Sequence, residues 1–148
     1  MNREILFKAK RKDNGEWVEG YYIYHIKRTI CPLGDSVKPE DEQHVIMQDG
    51  FSDWNMPRNT VVYEINPDTL CQYTGLTDKN GQKIWENDIC DTFENDSKEM
   101  LRNVVKFEDG CFKVFKKHYL SMHLDCYEES DLKVVGNIFD NADLLEVE

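Results

Sequence analysis

The sequence predicts a mainly β protein, within the range from all-β to α+β, built from antiparallel hairpins curled into a small barrel-like sheet with one or two short helices. Three observations carry this expectation. Asp13-Asn14-Gly15, Asp78-Lys79-Asn80-Gly81 and Glu108-Asp109-Gly110 each place Asn or Asp directly before Gly. That pair tolerates the positive φ angles of tight hairpin turns, whose twist matches the flanking strands. Each turn is bordered by β-prone residues, and helical periodicity is scarce.

The elements follow in order. Residues 5–10 alternate Ile5, Phe7 and Ala9 against Leu6, Lys8 and Lys10, and their return strand is 17–26, rich in Tyr and Ile. Residues 29–59 differ in composition: Pro32 and Pro39 accompany a dense acidic run, which predicts a polar surface excursion interrupted by a short strand at 44–48. The second hairpin pairs 72–76 with 83–93, and the third pairs 104–107 with 111–115. Between them, residues 96–102 read as two helical turns capped by Asp96 or Ser97, or equally as a charged hairpin loop. A last strand is expected at 134–139. Asn141 then caps a short acidic turn at 142–145, with Leu144 and Leu145 tucked against the sheet.

The 148 residues suit a single domain, 1–148, because a chain of that length buries roughly 68–70% of its unfolded surface without metal or disulfide support. Lys and Arg total 18 against 29 Asp and Glu, a formal charge of −11. Such a charge disfavours duplex nucleic acid and anionic membranes, which bind by having phosphates neutralised. The five cysteines are odd in number and none sits in a Cys-x-x-Cys spacing, so neither a disulfide framework nor a zinc knuckle is written here. No apolar run approaches the ~20 residues of a membrane helix and no leader pattern is present, which points to the cytoplasm.

One set of motifs is more specific. Pro67-Asp68-Thr69, Gln72-Tyr73-Thr74-Gly75-Leu76, Asp78-Lys79-Asn80-Gly81, Ile84, Glu86, Asp88-Ile89, Val135-Gly136-Asn137-Ile138-Phe139 and Leu144-Leu145 follow one another in a fixed order. With the opening Arg3-Glu4-Ile5-Leu6-Phe7-Lys8-Ala9, they resemble the YopX family. The likeness covers both ends and the middle and thins over 29–59. It implies a largely β fold with a barrel-like sheet, carriage by bacteriophages and prophages, and no established molecular activity. Thr74, Gly75, Asp78, Asn80, Gly81, Glu86, Asp88, Gly136 and Asn137 are the motif positions, and their implied role is structural. Asn87 stands where the family usually has Gly, and Ala142 where Asn-Pro is common. Asn also enters the left-handed region, so the turn is expected to survive.

Weighed for chemistry, the residues offer little. Glu86 and Asp88 would share a strand face, but two carboxylates fall short of a Mg²⁺ or Ca²⁺ site, and Asp88 is better placed to accept backbone N–H bonds. Cys111, His118, His123 and Cys126 are zinc-type ligands without a matched second pair, and no orienting group marks them as a catalytic Cys–His pair. No catalytic residue, cofactor or metal is therefore expected. Lys8, Lys10 and Lys12 form a strip that suits an edge strand guarded against aggregation better than a phosphate track. Asn95-Asp96-Ser97 matches a glycosylation acceptor, which has no role without secretion. The expectation is a non-enzymatic accessory domain of a phage or prophage that binds an unidentified protein, from the host or a second copy through a strand edge. An acidic mimic of DNA is the alternative, and a small enzyme has least support.

Overall fold

The computed structural model describes residues 2–31, 33–50, 59–93, 100–116 and 121–145. Its internal contacts fall into two compact units, Ile5–Leu70 and Cys71–Glu148 with Met1–Glu4. Each is described by itself.

In the first unit, β1 (Phe7–Lys10) and β2 (Trp17–Ile26) form the first hairpin, with Phe7 opposite Gly20 and Lys10 opposite Trp17. Gly15 closes it at φ 72°, and the Asn14 side chain accepts the Glu16 N–H at 3.0 Å. β3 (Glu42–Gly50) pairs with β2, and β4 (Asn59–Glu64) pairs with β3, all antiparallel. Ala9, Ile46 and Ile65 are its buried centre, with Phe7, Val18, Tyr22 and Leu70 packed around them. Gly20 is required by this packing. A Cβ there would run into the Met47 carbonyl oxygen, which is backbone and cannot swing away.

The expected excursion at 29–59 is therefore shorter than its composition suggests. A nine-residue strand, β3, occupies much of it, and Val45 and Ile46 inside that strand are buried. Two apolar residues in the core outweigh the flanking charge. Residues 51–58 lie outside the described residues. Of what remains, residues 29–31 and 33–41 are tied down by one arginine. Arg28 donates to both Asp35 carboxylate oxygens (2.7 and 3.1 Å) and to the Ser36 carbonyl (3.0 Å), and its Nε meets Asp41 at 2.9 Å. Asp35 also accepts the Cys31 N–H at 3.1 Å.

This clamp predicts a pH dependence. The Arg28 guanidinium and then the Cys31 N–H pull the Asp35 pKa from 3.8 down to about 2. A depressed carboxylate contributes its stabilisation above its unfolded value and loses it as pH falls through the folded one. The loop should thus stay clamped down to about pH 4 and open toward pH 2. Carboxyl-carbon NMR should show Asp35 titrating near 2, and back in the ordinary aspartate range in Arg28→Gln. An ordinary titration in the wild type would contradict the clamp.

In the second unit, β5 (Cys71–Thr77) pairs with β6 (Lys83–Trp85). β7 (Asp88–Phe93), β8 (Met100–Glu108), β9 (Cys111–Lys116), β10 (Ser121–His123) and β11 (Leu132–Asn137) form a sheet in the order β10-β9-β8-β7-β11. Ile84, Cys90, Val105, Val114, Leu124 and Leu132 make the core, backed by Phe112, Tyr127 and Val134. The third hairpin is β8–β9, closed by Asp109 and Gly110, both at positive φ.

Three expectations need correction here. The run 83–93 is not one return strand. Asn87 adopts φ 69°, turning the chain so that β6 stays with β5 while β7 pairs with β8 and β11. No sheet closes or curls into a barrel: the order above ends on β10 and β11, which do not pair. Closure needs a continuous staggered ladder, and β10 offers only three residues. Among the described residues there is no α-helix, only 3-10 turns such as Pro67–Thr69 and Ala142–Leu145. Residues 100–102, three of the seven read as helical turns or a hairpin loop, are strand because they pair with β7, and 96–99 lie outside the described residues. Accordingly, no helix is long and apolar enough to cross a membrane among them.

Candidate functional site

The family-motif residues gather around the β5–β6 and β7–β11 segments as a backbone frame. Asp78 is fully buried. One carboxylate oxygen accepts the N–H groups of Asn80 and Gln82, and the other accepts that of Val134 in β11, each at 2.9 Å. Lys79 N–H adds a 3.0 Å bond to the Leu132 carbonyl. Thr74 donates its hydroxyl to the Ile84 carbonyl at 2.7 Å and accepts from Leu76 N–H at 3.2 Å, beside Gly75 at φ 89°. Asp88 accepts Trp85 N–H at 2.8 Å, and Glu86 accepts Gln72 N–H at 3.4 Å. The Asn137 side-chain oxygen takes the N–H groups of Phe139 and Asp140, both at 2.9 Å. Gly136 leaves the room that the Asn141 side chain fills.

Gly81 sits at φ 75° with nothing near the place a Cβ would take, so a substitution there tests backbone strain alone. Gly81→Val should destabilise by about 1–3 kcal/mol, lowering the melting temperature by a few degrees. An unchanged thermal melt would show that the turn carries no strain.

A large concavity lies elsewhere in the same unit. A groove of about 940 Å³ is lined by alternate residues of β8 (Met100, Arg102, Val104, Lys106, Glu108), by Leu101 and Phe107, and by Phe115, Ile138, Leu144 and Leu145. Val104 stands opposite Phe115 across β8 and β9. Arg102 secures the wall. Its Nε and Nη2 bind the buried Asp91 carboxylate at 3.0 and 3.3 Å, and its Nη1 reaches the Leu144 carbonyl at 3.4 Å. The Asp91 carboxylate raises the Arg102 pKa above its ordinary value. Lys106 Nζ donates to Asn87 Oδ1 at 2.8 Å, the residue whose positive φ splits β6 from β7. The sequence reading left 96–102 open between two helical turns and a charged hairpin loop and began the strand only at 104, so Met100 and Arg102 were not seen as part of it. The available signal was that Met100, Arg102, Val104 and Lys106, which share one face of a strand, are apolar and basic by turns.

The other candidates do not assemble. Among the described residues no group of three or more His, Cys, Asp or Glu could hold a metal ion. Cys111 Sγ contacts the Glu108 carbonyl, His123 and Cys126 are exposed, and His118 and Asn95-Asp96-Ser97 lie outside the described residues. The basic strip is engaged locally: Lys8 and Lys10 lie over the Trp17 ring (4.8 and 5.4 Å) and Lys12 pairs with Glu64 at 3.3 Å. Arg11 pairs with Asp13 and stacks on Tyr63. Cys71 and Cys90 are buried, and burial pushes the Cys90 thiol up to about 12, far from nucleophilic.

The sequence pattern of the YopX protein family matches residues 6–146. The chain belongs to the YopX family. Among solved structures it is similar to the crystal structure of protein EF1440 from Enterococcus faecalis. The two share 21% identity over 97% of this chain and 99% of that one, with a TM-score of 0.51, a likeness of fold. No curated protein gives a significant match. The residues that carried the likeness in the sequence include Asp78 and Asp88 of this frame, whereas the groove is built mostly from residues outside them.

Proposed function

We propose that this chain is a non-enzymatic accessory domain, in the phage or prophage setting that the family implies, and that it binds a protein partner through the groove over β8. The observation that supports this is the character of the groove. Its walls are mainly aliphatic and aromatic, and its two basic groups are held by Asp91 and Asn87. Apolar concavities of this size with a few convergent polar groups are where ligands bind, and contiguous apolar surface of this kind is also where proteins dock. The frame carboxylates, Asp78 and Asp88, accept backbone N–H bonds, which suits scaffolding and not proton transfer.

A photo-crosslinking pull-down from infected bacterial extract tests the reading. A partner held by the wild type should be lost from Met100→Asp and Leu145→Asp. It should be retained by Leu33→Asp, which alters an exposed apolar residue of the other unit. A partner indifferent to the two groove variants would overturn the reading. So would turnover of a small molecule by the purified chain.

A further inference from the structure

Resting on that reading of the groove, we infer that its occupant is an extended peptide segment with aliphatic side chains and a single carboxylate, and that Lys106 receives the carboxylate. The charges around the groove carry the argument. Arg102 is matched by a buried carboxylate, Asp91, so its charge is cancelled within the fold. Lys106 is not matched. Its partner is the neutral amide oxygen of Asn87 at 2.8 Å, and an ammonium has three donors to offer. Among the described residues lining the groove, this is the cation without a carboxylate.

Geometry places that cation beside an apolar seat. Lys106 and Val104 lie two residues apart on one face of β8, a step of about 6.6–6.8 Å. Phe115 faces Val104 directly across the ladder, and Leu144 comes over from the turn that Arg102 holds. A side chain seated between Val104 and Phe115 would therefore have a carboxylate neighbour one or two residues along, at Lys106. Glu108, the next residue on that face, would repel a second acid there, which limits the segment to one. The lining runs the nine-residue length of β8, about 27 Å, room for several residues of extended chain. The chain's −11 charge sets the rest of the partner: not acidic as a whole.

The test uses the full chain and two fluorescein-labelled probes, acetyl-Leu-Leu-Glu-Leu-Leu-amide and its Gln counterpart, read by anisotropy. Wild type should prefer the Glu probe by about tenfold, the gain of a charge-assisted bond over a neutral one. Lys106→Met should erase that preference while keeping the Gln-probe affinity, and Lys106→Gln repeats the measurement should the Met variant misfold. Leu145→Asp should weaken both probes. Equal binding of the probes by wild type, or a preference surviving in Lys106→Met, overturns the role of Lys106. The groove reading still stands in that case if Leu145→Asp weakens both. Binding indifferent to Leu145→Asp removes both proposals. Decanoate displacing the Glu probe in a Lys106-dependent manner, and binding more tightly than it, would assign the groove to a small amphiphile and overturn the peptide.

Discussion

Arg102→Met should be among the most damaging single changes in the C-terminal unit, at about 3–5 kcal/mol. Asp91 is only 3% exposed in its side chain and receives two guanidinium bonds from Arg102. Removing the arginine leaves a buried carboxylate facing an apolar neighbour. The same change releases the bond to the Leu144 carbonyl, so the Ala142–Leu145 turn should loosen together with the groove wall. For a chain of this size the loss corresponds to a fall of roughly 6–20 °C in melting temperature. The double change Arg102→Met with Asp91→Leu should recover most of it, since an apolar pair of similar volume often replaces a buried ion pair without loss. Differential scanning calorimetry of the three variants decides the matter. A single variant that melts like wild type would mean that the pair is open to solvent.

Asp78→Ala should be comparably severe, through loss of acceptors. Three backbone N–H groups, from Asn80, Gln82 and Val134, lose their partner together. A fully buried orphaned donor costs about 1–3 kcal/mol; these three are part-buried, so water entering the space left by the carboxylate should hold the total to roughly 3–5 kcal/mol. Asp78→Asn should be milder than Ala, because its amide oxygen keeps part of the set while its NH₂ opposes the remainder. Amide hydrogen exchange at Gln82 and Val134 is the discriminating measurement. Both should exchange much faster in Asp78→Ala, and protection surviving there would show that β11 is held by other bonds.

Asp78 also shows what was readable in advance. Its position in an Asx-Gly turn between β-prone runs marked a hairpin, because turn chemistry is local and needs only neighbouring residues. The first and third hairpins were readable for the same reason, down to the strands on either side of Gly15 and Gly110. The failures are non-local. Whether the run 83–93 stays with β5 or departs is decided at Asn87, whose φ of 69° is one of two options open to Asn. Strand 42–50 was legible only as a short piece, 44–48, inside an acidic run, because Val45 and Ile46 show their full weight only once β2 and β4 flank them. The groove was hidden for a further reason: Ile138 and Leu144 reach β8 from more than thirty residues away along the chain, and no spacing rule connects them. The barrel expectation failed for want of a closing ladder, a property of the whole sheet and not of any hairpin in it.

The distribution of thiols has a practical consequence. Cys71 and Cys90 are sealed in the interior, while Cys31 and Cys126 are exposed and Cys111 lies between these extremes. A Cys111→Ser chain would carry two addressable sulfurs, one in the Ile5–Leu70 unit and one in the unit that begins at Cys71. Maleimide dyes react with accessible thiolates and bypass a thiol held near pKa 12. Donor and acceptor fluorophores on Cys31 and Cys126 would then form a molecular ruler, with energy transfer following the separation of the two units as a partner is added.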